Sequence, residues 1–255
     1  MSEINYIVKM TQEITNDDVE KFLNLFNFVF DEIKDNLWFN WKYKQNIYGD
    51  SIHVFAYDED KLVGIRCFWR NDLIKQIAYQ PCDTAVLSEY RNRGIFSSMS
   101  RFALEKSKGA FIYNFPNENS LPANLKMGWK IYKNRYLGLN LRLDDLNNEE
   151  DYIDEEYLKW RYVENPNNKY YYTSGREKSY LLLKRKNGIY FYLGNFEPKF
   201  NQYFEKTSGG LIFRYLDKKT LTSSILKSKS TTVYYDNRET ETVIPFIPIN
   251  KADYF

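Results

Sequence analysis

Between residues 77 and 115 the chain runs IAYQPCDTAV, then LSEYRNRGIFSSM, and after a helical stretch it reaches AFIYNF. A half-apolar strand enters a polar junction with a single glycine, a helix from about Ile95 to Lys108 follows, and Gly109 stops it. AFIYNF is unbroken and apolar enough to be a central strand, ended by Pro116 and Asn117. Strand, helix and strand in that order demand one sheet with helices packed on it.

The flanking segments agree. INYIVKM (4–10) alternates as a half-buried strand does, and a helix capped near Thr15 or Asn16 carries Val19, Phe22, Leu23, Phe26, Val29, Phe30 and Ile33 at helical spacing. LWFNWKYKQNIYG (37–49) reads as a short helix closing on Tyr48 and Gly49. SIHVFAY and KLVGIRCFW form a hairpin signal around Asp58-Glu59-Asp60. After AFIYNF come a short helix near Leu121–Met127 and two further strands in WKIYKNRYLGLNLRL. The expected fold class is α/β (α+β), a mixed and mostly antiparallel sheet flanked by helices.

Totals exclude several function classes. Lys and Arg number 36 against 34 acidic residues, a net charge of +2, which leaves no basic excess for a nucleic-acid partner. No run approaches eighteen apolar residues, so no membrane span is expected. The start, MSEINYIVKMTQEITNDD, lacks the basic and apolar regions of a signal peptide. Cys67 and Cys82 are the only cysteines, too few for a disulfide framework or zinc cluster, and metal is expected nowhere. A cytoplasmic location follows. His53 is the single histidine, in an apparent strand, and reads as a core residue.

The junction carries the chemistry. A helix N-terminus offers unpaired N–H groups and the positive end of the macrodipole, a seat for phosphate. Arg91, Arg93, Gly94, Ile95, Phe96 and Ser97 supply close backbone approach and flanking cations. The plain alternative is a structural helix start with solvated arginines. Neither a P-loop nor a dinucleotide fingerprint is present.

In context the junction resembles motif A of the GNAT acetyltransferases, Arg/Gln-x-x-Gly-x-Gly/Ala, with Arg91 and Gly94 in the first two fixed positions and Phe96 departing from the third. NFPNENSLPANLKMGW (114–129) resembles motif B through Asn117 or Asn119, Lys126, Gly128 and Trp129. The resemblance covers about residues 4–143 and extends to members that modify amino sugars and surface polysaccharides. It implies splayed fourth and fifth strands, with acetyl-CoA as co-substrate: the pantetheine arm along Thr84, Ala85 and Val86, and the diphosphate on amides around Arg93 to Ser97, with Asn119 nearby. It also implies direct attack of an amine on the thioester.

Asp83 is the candidate base, Glu118 a second, and both also read as ordinary structural or solvated carboxylates. Family members often protonate the leaving thiolate with a Tyr, but that position is Asn124, leaving Tyr132, Tyr113 or water. Trp38, Trp41 and Tyr43 are candidate walls of an acceptor pocket, with core as the alternative. The expected activity is N-acetyl transfer to a primary amine of a small molecule such as an amino-sugar nucleotide; the competing reading is a non-catalytic acyl-CoA-binding protein.

DDLNNEEDYIDEE (144–156) is an acidic shift that divides a domain 1–145 from a smaller β-rich module 146–255. FNWKYKQN (39–46) resembles LKWRYVEN (158–165), and 51–68 aligns without gaps to 179–196, turning at Asn187-Gly188. Chance likeness of aromatic hairpins and a degenerate second half are the two readings; the module would complete the acceptor side or pair two copies as a homodimer. KSKS (227–230) reads as a solvated face.

Overall fold

The computed structural model describes residues 3–74, 76–140, 146, 149–185, 188–207, 209–238 and 243–252. They divide into two compact units that interleave along the chain. The first holds 1–114, 119–130 and 234–246; the second holds 115–118, 131–233 and 247–255. Within the acidic segment 144–156, positions 144, 145, 147 and 148 lie outside the described residues, as does Asn187 of the second hairpin turn.

In the first unit, β1 (Ile4–Met10) pairs antiparallel with β2 (Ile52–Asp58), and β2 with β3 (Lys61–Arg70). β3 pairs antiparallel with β4 (Ala78–Val86), and β4 runs parallel to β5 (Phe111–Asn114). This is the mixed, mostly antiparallel sheet the sequence implied. α1 (Asn16–Phe30) starts where Thr15 and Asp18 bond each other's backbone N–H reciprocally, a capping box. It stops at Asp31, which turns left-handed at φ 52°, so Ile33 falls outside the helix and stands 96% exposed. The apolar spacing overshot because a left-handed cap leaves no periodic trace.

α2 (Asn36–Phe39) is capped by the Asp35 carboxylate, which accepts from Trp38 N, and runs straight into a π-helical turn, Asn40–Lys44. The wider turn points Trp38, Phe39, Trp41, Lys42 and Tyr43 inward together, and all are buried. Phe22 packs edge-on against Phe39 and Tyr43, with centroids 5.3 and 6.1 Å apart. Each such pair contributes about 0.5–1.5 kcal/mol beyond its buried area. α3 (Ile95–Lys106) follows β4, and α4 (Leu121–Lys126) follows β5. Residues 234–246 also belong here. Gly109 N donates to Asn237 O at 2.9 Å, and the Tyr234 ring stacks on Phe111.

The second unit contains β6 (Lys130–Asn140), one continuous strand where two were expected; residues 141–143 lie outside the described set. α5 (Glu155–Leu158) and its π-helical turn Lys159–Val163 repeat the arrangement of 36–44, with Asp154 capping through Tyr157 N. Asn165 accepts from Asn167 N as Asn46 accepts from Tyr48 N. β7 (Tyr170–Ser174), β8 (Ser179–Lys184) and β9 (Ile189–Phe196) form an antiparallel meander. β10 (Glu205–Lys206) pairs with β7, and β11 (Leu211–Leu216) pairs parallel with β9 and antiparallel with β6. After α6 (Leu221–Leu226), β12 (Lys229–Asp236) begins inside KSKS, so half of that run is strand and Ser230 is buried. Leu146, Tyr180, Leu182, Tyr190, Tyr192 and Ile212 form this unit's core.

Candidate active site

The site in the first unit begins with a strand pair that comes apart. β4 and β5 are paired only at Ala78 with Phe111 and Tyr79 with Ile112. From Gln80 to Val86, β4 keeps partners on β3 alone. Pro81, without an N–H, sits at the start of that divergence. The backbone of Thr84, Ala85 and Val86 therefore borders a wedge, as the resemblance implied.

A bulge shapes the wedge. Cys67 faces Cys82 and Ile65 faces Ala85, so Asp83 and Thr84 together oppose Arg66. Asp83 adopts φ 43°, a left-handed conformation that Asp tolerates better than most residues. The extra residue sends the two side chains different ways. Asp83 Oδ2 meets Lys42 Nζ at 2.8 Å and accepts from the Tyr43 hydroxyl, with Cys82 Sγ 3.6 Å away. Thr84 Oγ1 instead accepts from Arg66 Nη1 at 2.8 Å.

The Lys42–Asp83 pair is enclosed, with 4% and 8% of the two side chains exposed. Lys42 Nζ also lies 5.3 Å from the Trp38 and Trp69 ring centroids. Burial and the neighbouring Asp83 charge push the Tyr43 hydroxyl well above the ordinary tyrosine range, so it is a fixed donor. This corrects the pocket assigned to Trp38, Trp41 and Tyr43: the three rings are core, and Tyr43 serves Asp83 from behind. His53 is buried between Thr11 Oγ1 and Cys67 Sγ, and burial pulls it down to about 3, which keeps it neutral.

The helix start forms the other wall. Asn92 and Gly94 both take positive φ, 62° and 79°, and α3 begins at Gly94 with no side-chain cap, unlike α1. The first-turn amides of Ile95, Phe96 and Ser97 are left without helical acceptors. A Cβ at Gly94 would meet nothing within 4 Å, so that side of the loop is open. Arg91 and Arg93 are exposed beside it; Arg91 Nε donates to Val86 O at 3.2 Å, and Arg93 lies over Tyr90. Ile95 is buried, while Phe96 and Ser97 are half-buried.

Other candidates are distributed differently. Asn119 is exposed in the turn before α4. Glu118, exposed, and Tyr132, half-buried on β6, belong to the second unit. Tyr113 is buried and donates to Asn71 O at 2.9 Å. Asn124 is fully buried, its carbonyl accepting from Met127 N and Trp129 N at the end of α4. Among the described residues no cluster of His, Cys, Asp and Glu is placed to hold a metal, and no helix is long and apolar enough to cross a membrane.

Residues 11–132 match the family model of the acetyltransferase (GNAT) domain. That stretch, just under half of the chain, is a GNAT-type acetyltransferase domain. As an N-acetyltransferase of this family it uses acetyl-CoA as co-substrate. Similar folds occur in a GCN5-related N-acetyltransferase from Kribbella flavida, 11% identical over 91% of this chain and 71% of that one, TM-score 0.55. A conserved protein of Enterococcus faecalis V583 is 13% identical over 91% and 72%, TM-score 0.56. A GCN5-related N-acetyltransferase from Anabaena variabilis is 9% identical over 89% and 72%, TM-score 0.54. At these identities the likeness is one of fold. No curated protein sequence matches the chain.

Two buried cations beside the wedge, Lys42 and Arg66, escaped the sequence reading. Nothing in the letters marks Lys42 as buried, because its inward turn depends on the π-helical widening. Arg66 sat inside the apolar run LVGIRCFW (62–69), and a lone cation there was the available signal.

Proposed function

We propose that this GNAT acetyltransferase moves an acetyl group to the primary amine of a small polyhydroxylated molecule, an amino-sugar nucleotide being the class that fits best. One observation carries the placement of the donor: β4 loses β5 after two residue pairs and leads through the short 87–94 turn into an uncapped helix start. The pantetheine arm pairs with β4 from Thr84 to Val86, and the diphosphate rests on the amides from Arg93 to Ser97, helped by Arg91 and Arg93. Support for a hydroxyl-rich acceptor comes from a groove of about 600 Å³ along α1, lined by Asn16, Asn24, Asn36 and Asn40 together with the charged Glu20, Lys34, Asp35 and Lys44 and the apolar Val19 and Leu23. Amide side chains both donate and accept, which suits hydroxyl ligands. We read the second unit, which repeats the α-to-π turn and hairpin but has no counterpart of the 89–99 junction, as a degenerate copy of the first.

The amine attacks the thioester carbonyl, a backbone N–H of β4 steadies the oxyanion, and CoA thiolate leaves. We assign Asp83 a positioning role. Its Oδ2 already holds an ammonium and a phenol, and taking a further proton would break that buried pair. The acceptor then loses its proton to solvent before attack, and the thiolate, with an ordinary pKa near 8.5, leaves without an acid.

Thiol release from acetyl-CoA with a panel of amines tests the reaction and ranks amino sugars against amino acids and polyamines. With the best acceptor, kcat/KM should rise with pH up to the acceptor's own pKa, and Asp83→Asn should keep that rising limb. Loss of the limb in the variant would make Asp83 the base. Absence of acetyl-CoA binding would remove the whole assignment.

A further inference from the structure

Arg66 on β3 is a buried cation with too few partners. It is 3% exposed, and among the described residues Nη1 bonds Thr84 Oγ1 at 2.8 Å while Nε and Nη2 have no hydrogen-bond partner. Burial pulls it down to about 10, and the groups that counter this are the thiols of Cys82 and Cys67, with no carboxylate among them. A guanidinium left this way carries a desolvation penalty that the protein alone does not offset.

Its direction is defined by neighbours. Side chains alternate along a strand, so Arg66 shares a face with Gly64, where a Cβ would lie 3.2 Å from Ile95 Cγ2 and 3.4 Å from Met99 Cε. That face lies under α3. The guanidinium carbon stands 4.3 Å from the centroid of Phe96, the second residue of α3. Asp83, Lys42 and Tyr43 occupy the opposite side of the bulge. The unpaired donors thus lie under the first turn of α3, whose open amides form the diphosphate seat.

We propose that Arg66 donates to the diphosphate of acyl-CoA, with Phe96 as the platform that orients it. The proposal rests on the acyl-CoA seat described above. It explains why a bulky ring stands where small residues give the closest main-chain approach: some amide contact is exchanged for a guanidinium held flat by stacking.

The test compares the intact wild-type chain with Arg66→Met and Arg66→Lys. Calorimetric affinities for CoA, and for ADP, which carries the diphosphate without pantetheine, are measured beside ligand-free urea midpoints. Arg66→Met, similar in length and uncharged, should bind both CoA and ADP at least about tenfold more weakly, while its ligand-free stability stays equal or rises. Arg66→Lys should recover part of both affinities. Loss confined to CoA would move Arg66 to the pantetheine arm and overturn the proposal, as would a wild type that binds CoA but not ADP. Unchanged CoA affinity would overturn it too, and with reduced stability would make Arg66 a structural clamp. If stability and affinity both fall, failure of Arg66→Lys to restore affinity also overturns it. A wild type that binds no CoA points to failure of the seat itself, a separate outcome.

Discussion

At Asp83 a buried carboxylate meets a buried ammonium, and the energetics of such a pair are lopsided. Forming it gains little over an apolar core, but removing one partner strands the other without solvent. Lys42→Met should therefore destabilise the chain by about 3–5 kcal/mol, and adding Asp83→Asn should recover a large part of the loss; additive urea midpoints would show that the two groups are not coupled. His53 makes a second prediction. Its folded value of about 3 lies below the ordinary 6.5, so between those limits the unfolded chain holds a proton that the folded chain lacks. Its contribution is fully present above pH 6.5 and is lost as pH falls toward 3. From pH 6 to pH 5 stability should drop by about 1 kcal/mol more in the wild type than in His53→Leu, read from urea midpoints. Equal slopes would place the ring in a wetter environment. Asp83 and Gly94 were visible in the sequence because one is an acid in the strand that enters the junction and the other is the junction's single glycine. Lys42 and Arg66 were not, because their partners are fixed by a one-residue bulge and a widened turn that leave the letters unchanged.

The elements were legible wherever local chemistry set their limits. Thr15 and Asp18 announce the start of α1, and Glu59 and Asp60 the β2–β3 turn; each is a short-range hydrogen-bonding or backbone preference. What the alternation pattern could not give was partnership: that β4 leaves β5 after Tyr79, or that 130–140 is one strand. The seat depends on how α3 rests on β3, and Gly64 permits that approach. Gly64→Val puts a branched side chain against Ile95 and Met99, which are buried and have little room to yield. The expected result is a loss of about 1–3 kcal/mol from overpacking, together with weaker acetyl-CoA binding because the first turn of α3 lifts. A variant with lowered stability but unchanged affinity would show that the helix start is held independently of β3.

At the scale of the whole molecule, the chain order hides how the first unit is completed. The family match spans 11–132, and every motif lies before residue 130, so a chain cut at residue 143 keeps all of the recognisable chemistry. The fold places 234–246 in that same unit. Tyr234 stacks on Phe111 at 5.7 Å, Tyr235 lies 5.9 Å from Trp129, and Asn237 Nδ2 donates to Leu104 O at 2.6 Å. Arg238 reaches Gln76 Oε1 at 3.2 Å with its guanidinium 5.0 Å from the Phe111 ring. β5, buried from Phe111 to Tyr113, is the strand whose divergence from β4 opens the wedge, and without the end of β12 it becomes a bare apolar edge. A fragment 1–143 should therefore fail to melt cooperatively and fail to bind acetyl-CoA, whereas the full chain does both. Supplying 229–252 as a separate peptide should restore part of the circular-dichroism transition. A fragment that melts within about 5 °C of the full chain and binds acetyl-CoA equally well would show that β5 does not need the returning strand.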